Sequence, residues 1–236
     1  MSTGVDMDFA SVAKSLASPA RSAMIARLLD GRAMTAGELA RAAGIMPPAA
    51  SEHLANLVAA GLVVMSAQGR HHYFSIADLD TAEALEALAH ICPPKTARSL
   101  TGSVEDAAQR NARMCYDHVA GRLGVEILDG LLSSCWLIPV VTGFDVTEKG
   151  RIGFGQLGID AEALKRHRRT FARGCLDWTE RRPHLAGALG AAFAASCLNR
   201  QWIQRRPRQR GLDMTRAGSE ALRALLDIPV HAVLRH

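Results

Sequence analysis

Residues 35–76 read TAGELARAAGIMPPAASEHLANLVAAGLVVMSAQGRHHYFSI, and the helix and turn signals in that stretch decide the fold. Thr35 followed three residues later by Glu38 is a capping box, in which the hydroxyl takes a backbone amide and the carboxylate reaches back. A short helix through Ala43 ends at Gly44, and Pro47-Pro48 opens a second helix that runs to Ala60 and stops at Gly61. Helix, four-residue turn, helix is the spacing of a helix-turn-helix. Upstream, Ser18-Pro19 caps and starts a helix carrying Ala23, Ile25, Ala26, Leu28 and Leu29, which Asp30-Gly31 ends.

On a helical wheel, Ala50, Leu54, Leu57 and Val58 of the second helix fall on one side and are expected in the core. Ala49, Glu52 and Asn56 lie opposite, flanked by Ser51 and His53. This small, polar face suits a helix entering a DNA major groove: Asn bonds adenine, Glu accepts from cytosine, and Ser or His takes phosphate or base. Leu62–Met65 then reads as a strand, Ser66–Gly69 as a turn and Arg70–Ile76 as a returning strand. A hairpin directly after such a helix is a wing, with Gln68, Arg70 and His71 at its tip for phosphate or minor-groove contact.

The ELA helix (38–40), the SEHLANL helix (51–57), AGLV (60–63) and the GRHHYF wing (69–74) together resemble the winged helix of the ArsR family of bacterial transcriptional regulators. The resemblance implies a homodimer that binds a two-half-site operator on double-stranded DNA, usually as a repressor released by a ligand. It also implies dimerisation through the helices flanking the winged core, here Asp8–Leu16 and Asp78–Ile91. Members that sense metal through the helix before the recognition helix carry a Cys-x-Cys box there. This chain has ELARAAGI instead, so the resemblance does not name the inducer.

Hydrophobic residues make up 48% and charged residues 22% of 236, ordinary for a globular protein and unlike a disordered or collagen-like chain. No apolar run approaches a membrane span and the start lacks a signal peptide, so the chain reads as cytoplasmic, without a membrane partner. Five scattered cysteines do not make a disulfide framework. The net charge of +5 favours a polyanionic partner, but residues 161–236 carry fifteen Lys/Arg against six Asp/Glu, so the excess lies away from the helix-turn-helix.

Beyond a Pro- and Gly-containing linker (93–103) the chain repeats itself. ARMCYD (112–117) matches ARGCLD (172–177), HVAGRLG (118–124) matches HLAGALG (184–190), and GFDVTEKG (143–150) matches GLDMTRAG (211–218). The expected organisation is a winged helix-turn-helix over 1–92, then a duplicated effector-sensing unit over 104–236 with copies at 104–160 and 161–236. The fold class is mainly α with small β-hairpins (α+β). Each copy is expected to read helix, helix, hairpin, helix, with a wing-like hairpin and a Thr-capped last helix (Thr147, Thr215). The small residues of AGxLG would let two helices pack closely across a pseudo-twofold axis.

The duplication repeats a polar set: Cys115, Asp117 and His118 in copy one, Cys175, Asp177 and His184 in copy two. Read as one helix, Cys115 and His118 share a face. Two thiolates and two imidazoles converging across the pseudo-twofold would make a zinc or soft-metal site, with Asp117 and Asp177 fixing the imidazole tautomers. Copying of structural residues explains the same pattern, with buried Cys acting as a small hydrophobe. A thiol sensor assisted by Arg113 and Arg173 is the neighbouring expectation. An organic ligand is another, in a pocket lined by Trp136, Trp178, Trp202, Tyr116 and Phe171 with Arg181 and Arg182 as forked donors. Arg205, Arg206, Arg208 and Arg210 at the last hairpin's tip, and KRHRR at 165–169, offer phosphate contacts. The expected function is a dimeric, sequence-specific DNA-binding repressor modulated by a small effector at the C-terminal half, not an enzyme. A ligand-independent architectural DNA binder and an enzyme acting on a thiol-reactive compound remain as alternatives.

Overall fold

The capping box at Thr35 sets the first turn of the helix-turn-helix. In the computed structural model, which describes residues 7–89, 91–92, 100–207 and 209–228, the Glu38 amide donates to Thr35 Oγ1 at 3.3 Å and the Thr35 amide to Glu38 Oε2 at 2.8 Å. Arg208 and most of the expected linker lie outside the described residues. The chain divides into two units, Met1–Ala87 and Leu88–His236.

The first unit runs α1 (Phe9–Leu16), α2 (Pro19–Leu28), β1 (Met34–Thr35), α3 (Ala36–Ala43), α4 (Pro47–Ala59), β2 (Val63–Gln68), β3 (His71–Ile76) and all but the last two residues of α5 (Leu79–Ala89). Pro19 stands at the first turn of α2 as expected, but the Ser18 side chain makes no capping bond. Only Gly44, Ile45 and Met46 separate α3 from α4, and Gly44 in the left-handed conformation (φ 66°) ends α3. Ala50, Leu54 and Leu57 are fully buried, with Leu39 and Leu28. Burying each leucine contributes about 1.5–3 kcal/mol. Val58, expected beside them, is 39% exposed, because it lies at the edge of the leucine stripe. The hairpin is tighter than expected: β2 extends to Gln68 and β3 starts at His71, one residue later than expected, leaving Gly69-Arg70 as the turn. β1 pairs antiparallel with β3 in the order β1-β3-β2, a strand too short for its two residues to announce it.

The second unit runs α6 (Leu100–Asn111), β4 (Arg113–Cys115), β5 (His118–Ala120), α7 (Arg122–Ser133), β6 (Leu137–Val140), β7 (Gly143–Val146), α8 (Glu148–Gln156), α9 (Ala161–Lys165), β8 (Arg173–Leu176), β9 (Pro183–Ala186), α10 (Gly187–Asn199), β10 (Ile203–Arg205), β11 (Leu212–Met214) and α11 (Arg216–Leu226). The order helix, hairpin, helix, hairpin, helix therefore occurs twice, where helix, helix, hairpin, helix was expected. ARMCYDHVA and its counterpart form β-hairpins, not helix: Cys115 and His118 face each other across one ladder and Cys175 and His184 across the other. The helix that follows the first hairpin starts at Arg122. Thr147 and Thr215 cap α8 and α11 as expected, taking the Gly150 and Gly218 amides at 3.0 Å. The basic run at 165–169 is not a helical face, since α9 stops at Lys165. Among the described residues no helix is long and apolar enough to cross a membrane.

One core serves both halves of this unit, joining Leu123, Ile127, Leu131, Trp136 and Phe154 to Leu185, Leu189, Phe193, Leu212 and Leu222. The halves reach across each other: Met114 N donates to Arg210 O (3.0 Å), Leu212 N to Ala112 O (2.9 Å) and Phe144 N to Ala172 O (3.1 Å). The glycines of AGxLG allow this closeness. A Cβ on Gly124 would stand 2.4 Å from Val119 O and 3.2 Å from His184 Cβ; one on Gly190 would stand 2.5 Å from Leu185 O and 3.4 Å from His118 Cβ. Each copy's glycine thus abuts the other copy's histidine. Gly124→Ala and Gly190→Ala are each expected to destabilise this unit by about 1–3 kcal/mol in denaturant unfolding of the full chain. Gly155→Ala, with nothing within 4 Å of its Cβ, is expected to stabilise by about 0.5–1 kcal/mol. Equal effects at all three positions would refute the close-packing explanation.

Candidate functional site

In the first unit the polar residues expected to face DNA remain at the surface. On α4, Ala49, Ser51, Glu52 and Asn56 are exposed, and Gln68, Arg70 and His71 surround the wing tip. His53 is half-buried, with its Nδ1 3.4 Å from Arg21 Nη1, so its ring is tied to α2. Ser51 Oγ donates back to Pro47 O at 3.3 Å, and Arg70 Nε lies 3.5 Å from His71 Nε2. Leucines below and short polar groups above give α4 the two-faced character a groove-entering helix needs.

In the second unit the duplicated polar set comes together. One ligand atom from each of Cys115, His118, Cys175 and His184 lies within 4.8 Å of the others. The two imidazoles sit with ring centroids 5.1 Å apart and tilted by 31°. Each hairpin supplies one thiol and one imidazole as cross-strand partners, and the glycine contacts bring the two hairpins together. Cys115, His118 and His184 are buried and Cys175 is half-buried. His118 Nε2 and both ring nitrogens of His184 are buried without a hydrogen-bond partner. Apolar burial of such nitrogens is costly unless something accepts their lone pairs.

The carboxylates stand behind this set, each held by an arginine from the other half. Asp117 Oδ1 accepts from His118 Nδ1 at 3.1 Å, and Arg169 forks onto Asp117 at 2.6 and 3.1 Å. That bond leaves His118 Nε2 as the free lone pair. Asp177, fully buried, accepts from Arg113 Nη2 (2.8 Å) and the Gly121 amide (2.7 Å) on one oxygen. Its other oxygen accepts from the Thr179 amide (2.9 Å), the Thr179 hydroxyl (2.6 Å) and the Glu180 amide (3.1 Å). His184 Nδ1 is 3.5 Å from Asp177, a looser contact than that of Asp117 with His118. The two carboxylates therefore differ: Asp117 orients an imidazole, whereas Asp177 is first a buried ion-pair node.

The electrostatics follow from these contacts. Burial opposes ionisation of Asp177, but Arg113 and the hydrogen bonds from Thr179, Glu180 and Gly121 outweigh it and hold the carboxyl well below the usual range. Burial likewise works against charge on His118, yet Asp117 and Cys175 outweigh it and raise its pKa. Burial lowers His184 despite the pull of Cys175. The Cys115 thiol, followed by His118 and His184, brings Cys175 far below the ordinary thiol value against the cost of its burial. Cys175 is thus disposed toward the thiolate and His184 toward the neutral imidazole, the forms in which these groups ligate soft cations, whereas His118 is disposed toward the imidazolium.

The other expected residues are dispersed. Trp136 packs edge-to-face on Phe154 (5.2 Å) in the core, Trp202 lies under Arg200 (5.6 Å), and Trp178 is 38% exposed over the Arg113 guanidinium (4.3 Å). The tryptophans therefore occupy three environments instead of walling one pocket. Arg182 pairs with Asp129 at 2.8 Å, Arg181 is exposed, Arg206 pairs with Asp213 at 2.6 Å, and Arg210 donates to Met114 O at 3.0 Å. Arg205 lies half-buried beside them. Arg113 is engaged by Asp177, Gln109 O and Trp178 rather than by a thiol. Sequence reading missed the clamps made by Arg113 and Arg169. The repeat marks Arg113 as one of its matching positions, but Arg169 sits in a basic run that reads as solvated surface.

A family described as a helix-turn-helix domain matches residues 16–66. An uncharacterized HTH-type transcriptional regulator, YdfF of Bacillus subtilis (strain 168), is 41% identical over 223 residues, covering 94% of this chain and 99% of that protein. Among solved structures, the cadmium metal-sensor CMTR of Mycobacterium tuberculosis is 32% identical, with 39% of this chain and 100% of that one covered and a TM-score of 0.31. The transcriptional repressor BigR of Xylella fastidiosa is 26% identical, with 36% and 87% covered and a TM-score of 0.32. The match to the Bacillus protein spans both units, so the winged helix-turn-helix and the hairpin-bearing unit behind it occur together in a relative. The chain belongs to the family of HTH-type transcriptional regulators.

Proposed function

We propose that this regulator is a dimeric repressor that reads a double-stranded operator with α4 and the wing, and that its C-terminal unit senses a soft effector through Cys115, His118, Cys175 and His184. Operator binding would place it in the cytoplasm with the chromosome. The observation that carries the effector reading is the convergence of four ligand atoms within 4.8 Å, drawn from matching positions of two sequence repeats. Two thiolates and two neutral imidazoles suit zinc or another soft divalent ion: the set is tetrahedral in number, and its charge cancels that of the ion. His118 and His184 would ligate through ring nitrogens that now lack partners, Asp117 would hold the His118 tautomer, and Arg169 would hold Asp117. A bound ion would join β4–β5 to β8–β9. An effector preferring the dimer state with low DNA affinity lowers operator occupancy by its differential affinity for the two states.

On the DNA side, Asn56 and Arg70 are exposed, and their side chains suit bidentate adenine contact and phosphate or minor-groove contact respectively. Against a duplex selected from a random pool by the full chain, Asn56→Ala and Arg70→Ala are expected to weaken binding about five- to hundredfold. Asn56→Ala should also relax discrimination at one base position. Unchanged gel shifts for both variants would remove the DNA-reading assignment. On the effector side, full-length protein purified without chelator is expected to hold about one equivalent of a zinc-class ion, measured by elemental analysis with native mass spectrometry. Cys115→Ser and His184→Ala should each lower the affinity by at least about tenfold. A wild-type protein that takes up no soft divalent ion when one is supplied would overturn the metal reading.

A further inference from the structure

The two cysteines of the cluster hold matching positions, yet they differ in access. Cys115 is 3% exposed, whereas Cys175 is half-buried between exposed Gly174 and Leu176. The difference comes from the hairpin turns. Tyr116-Asp117 alone joins β4 to β5, while 177–182 join β8 to β9, and residues 178–183 have no counterpart in the first half. The longer turn opens its strand end, and Trp178 turns outward over Arg113. Their sulfurs remain within 4.8 Å of each other, in a set where three buried imidazole nitrogens have no hydrogen-bond partner. One reachable thiol with a sheltered thiol behind it is the arrangement a two-electron oxidant uses.

We propose that Cys175 and Cys115 form a disulfide couple oxidised by hydroperoxides, with Cys175 as the attacked sulfur and Cys115 as the resolving one. This rests on the reading of the Cys/His cluster as the effector site. In the first step the Cys175 sulfur takes the terminal oxygen of ROOH, the O–O bond breaks, and Cys175–SOH and ROH result. In the second, the Cys115 thiol attacks that sulfur, the S–O bond breaks, and water leaves as the S–S bond forms. Two thiols and one hydroperoxide thus give one disulfide, one alcohol and one water; sulfur loses the two electrons that the peroxide gains. Joined sulfurs are no longer thiolates, so only two imidazoles remain and a tetrahedral soft-ion site is abolished. Drawing the sulfurs to about 2 Å also pulls β4–β5 and β8–β9 together, and α7 and α10 pack on those hairpins.

The test uses the full chain with the two other exposed thiols removed (Cys92→Ser, Cys135→Ser); Cys197 is a bystander, since burial pushes its thiol up to about 12. The protein is treated with stoichiometric hydrogen peroxide, alkylated and mapped by non-reducing peptide mass spectrometry, while a chromophoric chelator reports released ion. The expected result is loss of two hydrogens and a linked peptide pair carrying Cys115 and Cys175, reversed by dithiothreitol. Adding Cys115→Ser should leave a sulfenic acid at Cys175 that dimedone traps. Alkylation of both cysteines after peroxide, with no linked pair, overturns the couple and needs no variant in the cluster to show it. An ion bound and retained through peroxide treatment overturns this inference and leaves the metal reading standing. A linked pair in protein that never takes up an ion supports the inference and removes the metal reading.

Discussion

The C-terminal unit depends on the close crossing of two short hairpins. Neither hairpin would be stable alone, since two strands of three or four residues bury too little. They are held because each half supplies what the other lacks: Gly124 admits His184, Gly190 admits His118, Arg113 meets Asp177 and Arg169 meets Asp117. The ion pairs are cross-half, so their geometry exists only when both copies are folded together. Removing one partner of the buried Arg113–Asp177 pair would leave a charge in apolar surroundings, a costlier change than losing a surface contact. The Cys/His cluster lies where these constraints meet, and its geometry is inherited from them.

The first unit obeys simpler rules. A capping box, a proline start and a leucine stripe orient α4 so that short polar side chains point away from the core, and the leucine burial fixes that orientation. No charged residue of the helix is needed to hold it in place. Its outer face is free to be chosen for contact with a groove, which is how a stable scaffold and a readable surface coexist in one thirteen-residue helix.

Most of the first unit was legible because local signals there agree with the tertiary answer. The capping box, the Gly44 stop and the hairpin after α4 are all short-range chemistry, and they lie where the sequence predicts them. Val58 was misread because a wheel gives angles without the depth of the neighbours. The second unit was legible in a different way. The repeat picked out the four Cys and His side chains that converge and both carboxylates beside them, yet their secondary structure was misread: CYDH spacing fits one helical face, but the same residues face each other across a two-residue β-turn. Strands of three residues carry no periodicity to distinguish them. The arginine clamps were invisible because their partners lie more than fifty residues away, and a basic run such as 165–169 looks the same whether it is solvated or holds a half-buried carboxylate.

The central claim is that the two copies jointly build one N2S2 coordination site. X-ray absorption at the metal edge of full-length protein loaded with a single equivalent of zinc tests it most directly. The account predicts two sulfur scatterers at about 2.3 Å and two imidazole nitrogens at about 2.0 Å, with no open position. A first shell of oxygen and nitrogen alone, or one dominated by sulfur from several chains, would contradict it.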